Sequence, residues 1–145
     1  MNTLLEKEKI NKALQNTLPI ETILEAAENV DNNYIKNQTL TSISKEIVDV
    51  LKKNISNETL INNCKRLLEY RLIEQVNHIH KGKYIRWLRN KKLTNGGIVV
   101  DIKFLDNGTH ILCKSKNRFI QFKFDDCITF QKLTSDEQLI LQLNE

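Results

Sequence analysis

Residues 98–124 read IVVDIKFLDNGTHILCKSKNRFIQFKF, and in them the chain repeats every two residues. Ile98, Val100, Ile102 and Phe104 alternate with Val99, Asp101 and Lys103. That period is the mark of a half-buried strand, and it places Asp101 on the outward face. Asp106-Asn107-Gly108 follows as a tight hairpin, because Asn and Gly tolerate positive φ. His110–Lys114 returns as the partner strand, and Lys116-Asn117 makes a second short turn. Phe119–Phe124 is a third strand with Ile120, Phe122 and Phe124 on one side. Asp125-Asp126 turns the chain again into a short last strand, Cys127–Gln131.

Upstream, Lys83–Arg89 (KYIRWLR) also alternates, with Ile85 and Trp87 on one face and Tyr84, Arg86 and Leu88 on the other. Asn95-Gly96-Gly97 is a turn signal after it. These segments predict about five strands in residues 83–133, folded as a small antiparallel β-barrel or a strongly bent meander.

Before Gly82 the period is helical. Leu60, Ile61, Cys64, Leu67, Leu68, Leu72, Val76 and Ile79 recur at three- and four-residue steps, which predicts one long amphipathic helix over about residues 58–80. Ile43, Ile47, Val50 and Leu51 give a shorter helix that Thr41 or Ser42 can cap. Helices are also expected over residues 1–15 and from Pro19 to the Asp31-Asn32-Asn33 stop. Thr134-x-x-Glu137 before Leu139, Ile140 and Leu141 reads as a capping box opening a short C-terminal helix. The fold class is therefore α+β. A helical region over 1–80 is packed on the β domain of 83–133, and a short helix lies in 134–145. The sheet needs its inner face covered to be stable, and the 58–80 helix is the expected cover.

Strand number and turn spacing in 83–133 resemble the SH3-like and Tudor-like small barrels. The strings KGKYIRWLR, LTNGGIVVDIKF, ILCKSKNRFIQFKFDDC and FQKLT resemble a group of small uncharacterised proteins of large double-stranded DNA viruses with AT-rich genomes. The resemblance covers about residues 60–143 and implies a viral source, with no activity and no site residues.

The 145 residues are 40% hydrophobic and 28% charged, enough apolar material for a real core. MNTLLEKEKI carries charge where a secretory signal has an apolar run, and no segment approaches a membrane span. Cys64, Cys113 and Cys127 are odd in number and unpaired in spacing, so free and partly buried thiols in a reducing, intracellular compartment are expected. Residues 1–80 hold 10 Lys and Arg against 11 Asp and Glu, whereas residues 81–145 hold 12 against 7. The β domain is thus the basic part, able to attract acidic proteins or phosphate backbones.

No catalytic, cofactor or metal constellation stands out. Zinc needs close ligand pairs, and on a helix His78 and His80 would point roughly 200° apart. His110 and Cys113 fall on opposite faces of one strand, and Asp125-Asp126 would blunt Cys127 as a nucleophile. Asp101 is expected to pair with a Lys such as Lys103 or Lys123. Asn95-Gly96-Gly97 lacks the pattern of a phosphate loop.

Two function classes lead, ahead of a third, an enzyme with an unfamiliar site that would need a deep polar pocket. The first is a non-enzymatic interaction module that docks a protein partner or another copy of itself. Ile73 and Leu88, which fall off the main stripes, are its expected exposed apolar positions. The second is a nucleic-acid-binding accessory protein. Its basic face would be built from Lys83, Tyr84, Arg86, Lys91, Lys92, Lys114, Lys116 and Arg118, with Tyr84 as the exposed aromatic.

Overall fold

The computed structural model describes residues 35–145. The expected helices over 1–15 and 19–31 lie outside them. The chain divides into two compact units, Ile43–Leu133 and a second whose described part is residues 35–42 with Thr134–Glu145.

The larger unit is two helices and one antiparallel sheet. Helix α1 (Leu40–Asn54) enters it from the smaller unit, and α2 (Asn57–Arg66) follows. The strands are β1 (Tyr70–Ile73), β2 (Tyr84–Arg89), β3 (Lys92–Leu93), β4 (Gly97–Leu105), β5 (Gly108–Ser115), β6 (Arg118–Lys123) and β7 (Ile128–Lys132). Their order across the sheet is β1-β7-β2-β4-β5-β6, with the two-residue β3 paired to β2. The sheet is open: β1 and β6 stand at its two ends, so the closed-barrel expectation is replaced by the bent meander.

The single helix expected over 58–80 is corrected. It stops at Arg66, where Glu69 takes a left-handed φ of 65°, and Tyr70–Ile73 becomes a strand paired with Thr129–Lys132. The helical stripe missed Tyr70, Arg71 and Ile73, all of which are buried. A strand covered on both faces reads as a near-continuous apolar run, and its β-branched and aromatic residues favour pairing over coiling. Short 3₁₀ turns at Val76–His78 and Phe124–Asp126 complete the unit.

Two cores follow from the alternation. On one face Ile47, Leu51 and Ile55 of the α1 region and Leu67 pack with Tyr70, Leu88, Leu93 and Phe130. On the other face, among the described residues, no α-helix takes part. Ile73, Ile85, Trp87, Val99, Ile111, Cys113 and Phe122, from five strands, meet one another with Ile79. That is possible only because the sheet curls. Three strand spacings would set β2 and β6 about 14 Å apart if the sheet were flat. Yet the Trp87 and Phe122 rings stack with centroids 4.1 Å apart at an interplanar angle of 15°. The curl is helped by an irregularity in β4, where Val99 pairs with Cys113 and Asp101 with Leu112, leaving Val100 as the extra residue.

That bulge also corrects the facing expected for β4. Val99 is buried, while Ile98 is 46% exposed and Val100 41% exposed. The two off-stripe residues are corrected likewise: Ile73 and Leu88 are 3% and 4% exposed and belong to the two cores. Polar side chains on the concave face latch the segment before β2. The Arg71 guanidinium donates to the His78 carbonyl at 2.7 Å, and the Gln131 Oε1 accepts from the His80 N–H at 2.8 Å.

In the smaller unit, Thr39 and Ser42 each accept from the other's backbone N–H, so α1 starts at Leu40, ahead of the residues expected to cap it. Helix α3 (Ser135–Asn144) opens on the expected capping box. The Thr134 Oγ1 accepts from Glu137 N–H at 3.0 Å, and the Glu137 carboxylate accepts from Thr134 N–H at 2.8 Å. At its far end the Asn144 amide donates to the carbonyls of Lys36 and Gln38 at 2.8 and 2.7 Å.

Candidate interaction surface

The residues expected to form one basic face are split between two sides of the larger unit. Tyr84 is half-buried beside the helix-covered core, and its hydroxyl donates to the Asn95 carbonyl at 2.8 Å, so it is not the exposed aromatic. Arg86 is half-buried too. Its guanidinium carbon lies 5.7 Å from the Tyr70 ring centroid, a cation–π placement. Its Nε and Nη1 are buried without a hydrogen-bond partner among the described residues. Burial lowers the pKa of neighbouring Arg66, and the Arg86 charge lowers it further. The rise in the Tyr70 pKa comes from burial, against the pull of Arg86. These two expected site residues are framework.

Lys83, Lys91, Lys92, Lys114, Lys116 and Arg118 are all exposed. Lys91 lies in the β2–β3 turn, where Asn90 and Lys91 have φ of 53° and 63°. This is the true hairpin, closed by Arg89 opposite Lys92, and the sequence signal at Asn95-Gly96-Gly97 belongs to the return into β4. There Gly96 has a φ of 78°, and any side chain on it would collide with the Ile85 carbonyl. Lys91, Lys53 and Arg89 rim a cleft of about 520 Å³ floored by Ile55, Leu88 and Ile128.

Lys114, Lys116 and Arg118 stay together around the β5–β6 turn. Register places them beside something the sequence reading left out. Ile98 of β4 stands opposite Lys114 of β5, which stands opposite Phe119 of β6. Phe119 is 63% exposed, and the Lys114 ammonium lies 5.9 Å from its ring centroid. With Val100 and half-buried Leu112, this row makes an apolar strip on the convex face of β4–β6, which no other described element covers. The signal for Phe119 was in the sequence: turning Ile120 and Phe122 inward turns Phe119 outward.

The chemistry-bearing candidates carry nothing further. Asp101 pairs with Lys81 at 3.3 Å, not with Lys103 or Lys123. Its carboxyl is held below the usual range by the Ile102 N–H and then by Lys81. The thiols of Cys64, Cys113 and Cys127 are free. Burial pushes the Cys113 thiol up to about 12, and burial first, then Asp126, raises Cys127 against the opposing charge of Arg89. His110 is engaged by Asn107 and Gln121 at 3.1 and 3.2 Å. Among the described residues, no three His, Cys, Asp or Glu side chains gather as a metal set, and no helix is long and apolar enough to cross a membrane.

No protein-family model, no curated protein and no solved structure matches this chain.

Proposed function

We propose that this chain is a non-enzymatic interaction module. Its curled sheet docks a protein partner on the convex face of β4–β6. The observation that carries this reading is the row Ile98–Lys114–Phe119, apolar at both ends and exposed among the described residues. An apolar centre with a polar rim is the ordinary anatomy of a protein interface. Residues 97–123 hold five Lys and Arg against two Asp, so the rim favours an acidic partner over a second, equally basic copy. The free thiols fit a reducing compartment.

A second reading, contact with nucleic acid, is favoured by Phe119 beside Lys114, Lys116 and Arg118. It ranks lower because base stacking needs aromatic faces, and Ile98 and Val100 offer none.

The test compares wild type with Ile98→Ser/Phe119→Ser and with Ile61→Ser, which alters an exposed apolar residue on α2 instead. A protein that co-purifies with wild type and Ile61→Ser but not with the double variant supports docking. Oligonucleotide binding that weakens steeply from low to physiological salt transfers the surface to the second reading.

A further inference from the structure

β6 is a terminal strand, paired only on its β5 side among the described residues. Its turn from β5 is two residues long, with Ser115 opposite Arg118. Residues flanking a two-residue hairpin turn form a hydrogen-bonded pair, so alternation gives Arg118, Ile120 and Phe122 the bonds to β5. The N–H and C=O groups of Phe119, Gln121 and Lys123 are left facing outward along an edge about 20 Å long.

Because the sheet curls, this edge does not face open solvent alone. A cleft of about 350 Å³ separates Arg118, Ile120 and Gln121 from Arg89, Thr94 and Asn95, with the Trp87–Phe122 stack between. Among the described residues no acidic side chain lines it, while an arginine stands on each bank. Exposed edges of this kind are templates for strand addition, in which backbone bonds give affinity and alternate side chains give selectivity.

We infer that the partner enters as an extended, acidic segment. It adds a strand antiparallel or parallel to β6 and fills the seam between β6 and the loop ahead of β4. One set of its side chains continues the convex strip past Phe119, and the other points into the cleft. An acidic residue there lies between Arg89 and Arg118. This inference rests on the docking reading and gives it a geometry. The cationic banks argue against a second copy, whose own β6 brings Arg118 and Lys123 to the same edge.

The experiment uses the full chain and an array of peptides about ten residues long. Each alternates Val or Thr with Asp or Glu, with Lys, or with Ser. An oligothymidylate and sedimentation equilibrium run alongside. Wild type binds the acidic peptides. Gln121→Pro removes an outward N–H and weakens them at least tenfold. Arg89→Glu/Arg118→Glu, which keeps the inference testable should the proline variant fail to fold, shifts the preference from acidic to Lys-bearing peptides. Binding of no peptide, equal binding by Gln121→Pro, or a response only to oligothymidylate or to self-association overturns the inference. If the Ile98→Ser/Phe119→Ser variant loses a protein that Gln121→Pro keeps, docking stands and strand addition alone falls.

Discussion

Single side chains in this chain report their surroundings through chemistry. Cys113 is wholly buried on the concave face, and without a neighbouring cation its thiol rises to about 12. Thiolate is the reactive form, so in a Cys64→Ser/Cys127→Ser variant Cys113 should resist a disulfide reagent at pH 8 for as long as the protein stays folded. Its labelling rate should follow the unfolding rate as urea is added. Fast labelling of the native protein would show that the concave core opens to solvent. The Asn90–Lys91 turn gives a second test. Both residues sit at positive φ, the conformation that two-residue hairpins normally fill with Asn-Gly. A left-handed lysine costs about 1 kcal/mol or more. Lys91→Gly is therefore expected to stabilise by about 1 kcal/mol, seen as a rise of about 3 °C in Tm. The absent glycine is also why this turn was illegible: the turn signal in the sequence lies at Asn95-Gly96-Gly97, a few residues later.

Elements were legible where one periodicity had no rival. The β4–β5–β6 meander and the capping box of α3 were visible because turn and cap residues stand at the ends of clean patterns. The helix expected to 80 was not, since Leu72, Val76 and Ile79 continue the helical spacing by accident while Tyr70, Arg71 and Ile73, off that spacing, are buried. Spacing alone does not separate a doubly covered strand from a helix. Nor does it show a bulge, so the outward Ile98 was assigned to the wrong face and the convex strip was lost from the candidate site. On α1, partial burial raises the Glu46 pKa above the usual carboxylate value, and the Glu74 charge adds to the rise. A carboxyl whose folded pKa exceeds its unfolded one binds protons more tightly when folded, so stability is present at low pH and falls as pH rises through that window. Glu46→Gln removes the fall. Urea midpoints should show the variant more stable than wild type at neutral pH, with the gap narrowing below about pH 4.5. A constant gap at all pH values would assign the effect to packing.

The larger unit as a body is an open, curled sheet with helices on one side. Helices close one face, curvature closes the other, and the two phenylalanines of β6 divide the labour between stability and recognition. Phe122 lies on the concave side against Trp87, a contact between strands that are three places apart in the sheet. Phe119 stands on the convex side with 63% of its surface in solvent. Removing the first deletes buried area, leaves a cavity and releases the curl. Phe122→Ala should cost about 3–5 kcal/mol, a large share of the roughly 5–15 kcal/mol that holds a domain together. Trp87, the sole tryptophan, reports the event directly. Its emission should shift to the red in Phe122→Ala under native conditions, because loss of the stack admits water to the seam. Phe119→Ala should stay within about 0.5 kcal/mol of wild type and leave the emission unchanged, because an exposed ring gives up little on truncation. If instead Phe119→Ala proves the more destabilising of the two, the strip is core in the folded protein, and its role as a docking surface is lost.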